Sequence, residues 1–336
     1  MAQKVSQWPQ LPWKANLFIS VMSFGVDIVR RSNGTINRPL LKIFDVKKSP
    51  SKKPINGVKT TDITIDKSRD LWFRLYTPTT NTISDSAGLP VIFYFHGGGF
   101  SLLAANSRPM DDFCYRLARE LSAFIISVNY RLAPEHRFPS QYDDGFDALK
   151  YIDSTEIEGF SSYANLNHCF VAGDSAGGNL AHHVIIKANE YEFSNIKLIG
   201  NISFQPFLGG EERTESELRL TNAPFITIER TDWMWRAFLP GGSNRDHPAV
   251  NIFGPNGVDI SGMKFPATIV FVGGYDPLQD WQKRYYEGLK KSGKEAYLVE
   301  YPNMPHSFYI YNELPESGLS IEEVKDFMQK QLASNI

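Results

Sequence analysis

At 336 residues the chain could hold two domains of the usual size of about 150 residues, yet α/β units often run this long as one. Hydrophobic residues make up 42% and charged residues 21%, an ordinary globular balance that excludes extensive disorder. A formal net charge of −2 gives no electrostatic reason to expect nucleic acid or an anionic membrane as partner.

Only two cysteines are present, Cys114 in a helix-forming run and Cys169 in an apolar one, so both read as small core residues. Neither a disulfide framework nor a metal site is expected. The start Met1 to Ser6 lacks an apolar secretory core, and the apolar run from Asn16 to Val29 is broken by Gly25 and Asp27. No signal peptide, no membrane span and a cytoplasmic location follow as expectations. The sequons at Asn33 and Asn201 are then expected to carry no sugar, the second lying inside a predicted buried strand. The basic run from Lys47 to Pro54 reads as a solvated loop broken by proline.

Residues 8 to 31 space Trp8, Leu11, Trp13, Leu17, Phe18, Val21, Met22, Phe24, Val26 and Ile28 among polar positions, with Pro9 and Pro12 near the start. The pattern predicts an amphipathic helix, and its few basic residues favour a lid over a pocket rather than a membrane-surface helix. Thr60 to Asp66 and Leu71 to Tyr76 alternate around Lys67 to Asp70, an antiparallel hairpin. Beyond it come short, mostly continuous apolar runs: Pro90 to Phe95, Ala123 to Val128, His168 to Ala172, Ile196 to Phe204, Ala267 to Val272 and Ala296 to Tyr301. Helical stretches at Pro109 to Leu121, Asp143 to Ile152, Ala176 to Tyr191 and Leu278 to Ser292 separate most of them.

Strands alternating with helices predict a mostly parallel sheet covered on both faces, with the site at the strands' C-terminal ends. Residues 206 to 262 interrupt this alternation with prolines, glycines and the aromatic segment Asp232 to Phe238. They are expected to form, with residues 8 to 31, a cap on a single domain.

The chemistry-bearing stretch is Gly173-Asp174-Ser175-Ala176-Gly177, with an apolar strand before it and a helix after it. In such a Gly-x-Ser-x-Gly turn the serine is forced into strained backbone, and its hydroxyl stands above a helix N-terminus, where negative charge is favoured. A serine needs a base, itself oriented by a carboxylate.

Of the seven histidines, His182 and His183 fall inside the following helix, His168 begins the elbow strand and His247 lies in the insertion; His96 and His136 belong to other motifs. His306 remains, in the loop after the last strand. For the acid, the run Val270 to Tyr275 ends a buried strand in glycines and delivers Asp276 to the same edge; Asp280 falls in the next helix. The fourth part is Phe95-His96-Gly97-Gly98-Gly99-Phe100. Consecutive glycines are costly in backbone entropy unless free N–H groups must point at a ligand, which an oxyanion hole requires.

These motifs, together with Asn129 to His136, resemble the plant carboxylesterases of the hormone-sensitive-lipase-like α/β-hydrolases, and the likeness spans nearly the whole chain. The resemblance implies an α/β-hydrolase fold with Ser175 as nucleophile, His306 as base and Asp276 as its orienting acid. It implies an oxyanion hole of Gly98, Gly99 and Ala176, with His96 structural and Arg131 and Glu135 bracing the loop by charge pairing. It implies no cofactor, no metal, a small-molecule ester as substrate and a monomer. Phe100, Phe225, Trp233 and Phe308 are candidates for lining the substrate pocket.

Gibberellin receptors share this fold but lack the catalytic histidine that stands here as His306. Related dehydratases tend to carry a threonine in the elbow or glycine loop, where this chain has the hydrolase form. Cyclases and lactone-forming transferases on the same fold are compatible with an intact triad.

Overall fold

The computed structural model describes residues 9–79, 88–160 and 162–335. Trp8 and the start Met1 to Ser6, on which the expectation of no secretory leader rests, lie outside the described residues. In chain order come α1 (Trp13–Val29), α2 (Arg38–Phe44), β1 (Val58–Asp66), β2 (Leu71–Pro78), β3 (Leu89–Phe95), α3 (Arg108–Glu120), β4 (Phe124–Asn129) and α4 (Ser140–Ser154). They are followed by β5 (Ala164–Asp174), α5 (Ala176–Ala188), β6 (Leu198–Phe204), α6 (Glu215–Arg219), α7 (Ile228–Phe238), β7 (Ala267–Tyr275), α8 (Gln279–Lys291), β8 (Ala296–Pro305) and α9 (Pro315–Ser334).

The strands form one eight-stranded sheet in the order β1-β2-β4-β3-β5-β6-β7-β8. The first two form the expected antiparallel hairpin, tightened where Asp66 accepts from Ser68 N and Asp70 takes φ 51°. β2 also runs antiparallel to β4, and every later pairing is parallel. The fold is therefore that of an α/β-hydrolase, with a mostly parallel sheet.

The period-two geometry of β3 divides the core. Val91, Phe93 and Phe95 pack with Leu149 of α4 and Leu180 and Val184 of α5; Ile92 and Tyr94 pack with Phe113 and Leu117 of α3 and Val324 and Phe327 of α9. Both faces of the central strands are dry, which is why their sequence is continuously apolar rather than alternating. Each such buried Leu, Val or Phe contributes about 1.5–3 kcal/mol relative to exposure.

Helix α1 falls within residues 8 to 31 and buries Ala15, Ile19, Gly25, Val26 and Val29. Its outer face is also apolar: Trp13, Leu17, Val21 and Phe24 are each more than 45% exposed. No helix among the described residues is long and apolar enough to cross a membrane. Cys114 and Cys169 are buried and unlinked, and Asn201 is buried in β6.

Four helices among the described residues extend the predicted set: α6 and α7 within residues 206 to 262, and α2 and α9 outside them. Asn37 caps α2 by accepting from Leu40 N, and α9 starts on Pro315 and covers the sheet with Ile321, Val324, Phe327 and Met328.

Candidate active site

Strand β5 is buried from Cys169 to Asp174 and ends at Ser175, which holds φ 51° and ψ −116°. Such a conformation costs a non-glycine residue about 1–3 kcal/mol and persists only where the surroundings fix it. Here Ser175 N donates to Phe204 O at 2.9 Å, and Ser175 O accepts from Phe207 N at 2.8 Å. The turn also needs bare backbone beside it. A Cβ on Gly177 would stand 1.8 Å from Phe95 O, and one on Gly173 would stand 2.2 Å from Gly177 O.

At the end of β7, Asp276 turns back so that its N–H donates to Gly273 O. Its Oδ2 accepts from His306 Nδ1 at 2.7 Å, Gln282 Nε2 at 2.8 Å and Gln205 Nε2 at 3.1 Å, while Oδ1 accepts from Leu278 N at 2.9 Å. Asp276 is fully buried and His306 is 1% exposed. With Nδ1–H donated to the carboxylate, Nε2 is left as the ring's acceptor. That Nε2 is buried and has no hydrogen-bond partner among the described residues, so no hydrogen bond joins it to Ser175 Oγ in this geometry. Asp280 does something else: its Oδ2 accepts from Ser216 N at 2.8 Å and ties α6 to the first turn of α8.

The glycine loop sits against the elbow. Gly98 (φ 100°) and Gly99 (φ 59°) occupy the left-handed region, and a Cβ there would meet Leu102 O at 2.4 Å and Met234 Sδ at 2.2 Å respectively. Ala176 is the first residue of α5, so its N–H has no acceptor within the helix. His96 is buried, stacks on Tyr130 with ring centroids 4.3 Å apart and uses Nδ1 to reach Gly97 O at 2.8 Å. Burial pushes its pKa down to about 3, so it is a neutral support for the loop.

Sequence reasoning gives Asp174 no task, although it joins elbow to loop. It accepts from Tyr94 OH at 2.6 Å, Gly97 N at 2.8 Å and Tyr309 OH at 3.1 Å, and burial pushes its carboxyl up. Its place between glycine and the elbow serine was the available signal.

Arg131 and Glu135 pair, but not with each other. Arg131 forks onto Asp144 of α4, and Glu135 takes Arg38 of α2, which also donates to Ser101 O and Ala133 O.

Of the four aromatic candidates only Phe225 lines the cavity beside Ser175, with Phe18 and Met22 of α1, Met234, Ile226 and Tyr311. The other three pack away from it: Phe100 is fully buried and stacks on Phe238 at 3.9 Å, Phe308 is fully buried beside Tyr301, and Trp233 donates through Nε1 to Arg31 O.

The cavity measures about 40 Å³, room for about three waters since one needs about 10–15 Å³ on this measure. Larger clefts lie elsewhere, one of about 560 Å³ beside Trp281 and one of about 820 Å³ beside Arg131, but neither contains Ser175, Asp276 or His306.

Helices α1 and α7 are latched together by charge. Arg230 of α7 forks onto Asp27 of α1 at 2.9 and 2.6 Å and donates to Phe225 O at 2.9 Å. Hydrogen bonding to Arg230 is the main cause holding the Asp27 carboxyl below its usual range. Because Asp27 is partly exposed, the pair contributes less than about 1 kcal/mol, enough to bias the seating of α1 but not the fold. Asp27→Asn is therefore expected to speed proteolytic cleavage within α1. Unchanged cleavage rates would rule the latch out.

Comparison with known proteins bears on the whole chain. Residues 92–310 match a family profile described as alpha/beta hydrolase fold. The gibberellin receptor GID1C of Arabidopsis thaliana is 39% identical over 331 residues, covering 96% of this chain and 95% of that one. Carboxylesterase 20 of Arabidopsis thaliana is 36% identical over 281 residues, covering 81% and 85%. Among solved structures, the hyperthermophilic esterase from the archaeon Pyrobaculum calidifontis superposes with a TM-score of 0.74 at 25% identity, covering 98% of this chain and all of that one. The chain belongs to the hormone-sensitive-lipase-like α/β-hydrolases, the family to which these plant receptors and carboxylesterases belong.

Proposed function

We propose that the protein is a serine carboxylesterase that hydrolyses small, largely apolar esters through an acyl-serine intermediate. The observation that carries this is the buried His306–Asp276 pair, whose free Nε2 accompanies a serine held at a strained strand-to-helix turn. Ser175 Oγ attacks the ester carbonyl carbon while His306 Nε2 takes its proton. The amides of Gly98, Gly99 and Ala176 receive the oxygen as it becomes negative. The alcohol leaves with the proton from His306, water attacks the acyl carbon with His306 again as base, and the carboxylic acid departs.

The cavity of about 40 Å³ supports a short acyl group. We further infer one hydrolase unit, working as a monomer, with α1 and residues 206–262 as its cap. The two buried, unlinked thiols suit a reducing cytoplasm.

The test is hydrolysis of p-nitrophenyl acetate and butyrate by the native protein and by Ser175→Ala. Loss of the nucleophile is expected to lower kcat by a factor on the order of 10⁴ or more. Equal rates would remove Ser175 from the mechanism.

A second reading, a ligand-binding receptor, is favoured by the outward apolar face of α1 and by likeness to a gibberellin receptor over 96% of the chain. Covalent labelling by a fluorophosphonate separates the two. The esterase labels at Ser175, whereas a receptor binds its ligand tightly and stays unlabelled.

A further inference from the structure

Acid and base are held by a residue that belongs to none of the motifs. Gln205 directly follows β6, the strand lying between those that carry Ser175 and Asp276. It is fully buried at φ 43°, a conformation costly for any residue but glycine, and its N–H donates to Phe271 O at 3.0 Å.

Its side-chain amide spans the catalytic pair. Nε2 donates to Asp276 Oδ2 at 3.1 Å and to Pro305 O at 3.2 Å, and Oε1 accepts from Ser307 N at 2.7 Å. His306 stands between Pro305 and Ser307, so one amide grips both peptide neighbours of the base as well as the carboxylate it faces. Gly273 leaves the room for this, since a Cβ there would lie 2.6 Å from Gln205 Nε2. Gln282 also donates to Asp276 Oδ2, at 2.8 Å, but has no hydrogen bond to the His306 loop.

We propose that Gln205 is a positioning residue for the triad, setting the separation of Asp276 and His306 and thereby the aim of Nε2 at the nucleophile. The inference rests on the serine-esterase reading of the site. A buried amide clamp of this kind controls turnover rather than substrate binding, because small misplacements of a base are paid in kcat.

Two variants test it. Gln205→Met keeps the volume and removes every side-chain hydrogen bond. A kcat loss of about 10- to 100-fold is expected, with KM changed less than about twofold. Gln205→Glu keeps an acceptor for Ser307 N–H but sets a second carboxyl against Asp276 Oδ2. Two carboxylates so close do not both stay ionised, and the protonated form donates where the amide did. Its deficit relative to wild type should therefore narrow as the assay pH falls from 8 to 6, a trend that a merely structural defect would not produce.

A third readout needs no turnover. The low-field proton resonance of His306 Nδ1–H should shift or broaden in Gln205→Met and hold in Ser175→Ala. If Gln205→Met does not fold, Gln205→Glu decides. Variants with kcat within about twofold of wild type, a pH-independent ratio and an unchanged resonance would overturn the proposal. A Ser175→Ala protein as fast as wild type would instead overturn the esterase reading, and the resonance would then decide the role of Gln205 by itself.

Discussion

Asp276→Asn is expected to cut turnover by up to about 10⁴, the loss seen when a triad acid becomes an amide in a serine protease, while leaving the fold intact. The arrangement around the carboxylate gives the reason. Three donors, from His306, Gln205 and Gln282, converge on Oδ2, and the Leu278 amide addresses Oδ1. An asparagine can meet this set in two ways. With its NH₂ toward His306 it donates to Nδ1, enforces the tautomer with hydrogen on Nε2 and removes the base. With its oxygen toward His306 it keeps the tautomer but sets NH₂ against the Leu278 N–H and supplies no negative charge for the imidazolium that forms in the transition state.

Both orientations fail, for different reasons, so no rearrangement rescues the variant. Asp280→Asn, whose carboxylate is engaged with Ser216 N, should keep kcat within about twofold of wild type. Kinetics of both variants with p-nitrophenyl butyrate make the comparison. Loss of activity in Asp280→Asn with retention in Asp276→Asn would redraw the triad.

That prediction could be framed from sequence because the candidate catalytic residues sit where strands end, and strand ends announce themselves. Gly173, Gly177, Gly273 and Gly274 punctuate buried apolar runs, and each stands where a Cβ would strike backbone or a buried side chain. The alternation of strands and helices was legible for the same reason: a strand dry on both faces is a short continuous apolar word.

What the sequence does not carry is the identity of long-range partners. Phe100, Trp233 and Phe308 have the composition of pocket walls, but the direction of each ring is set by residues far along the chain, Phe238 for the first and Arg31 O for the second. Gln205 is similar, since a glutamine after a strand acquires meaning only when β7 and the His306 loop lie beside it. Helix α9 is a different case: Ile321, Val324, Phe327 and Met328 have helical spacing behind Pro315, a signal present in the sequence and outside the elements predicted from it.

Acid should destabilise this protein above the range where carboxylates protonate, because His96 and His182 are buried, and His183 is half-buried, without the means to accept charge. Burial pushes His96 and His183 down to about 3 and His182 well below its ordinary value. His183 stacks on Tyr142, and the Nε2 atoms of all three are buried with no partner among the described residues.

The sign follows from which state binds the proton. The folded pKa lies below the unfolded value of about 6.5, so the unfolded chain takes up protons that the folded chain refuses. The stability these residues leave intact is therefore complete above about pH 7.5 and is lost as pH falls through 6.5 toward 3. An imidazole that stays neutral in the fold costs about 1.4 kcal/mol per pH unit below its unfolded pKa, which is sizeable against a typical total of about 5–15 kcal/mol.

Asp174 works the other way. Its raised carboxyl pKa favours the folded state as pH falls, but it is one group against three. Urea midpoints measured from pH 8 to 5 should fall steeply below about pH 6.5, and His183→Phe, which keeps a ring against Tyr142, should reduce the slope by about one proton. A midpoint constant from pH 7 to 5 would mean that these imidazoles reach water when charged, and that the packing of His182 and His183 against Tyr285 and Tyr142 opens far more readily than its burial implies.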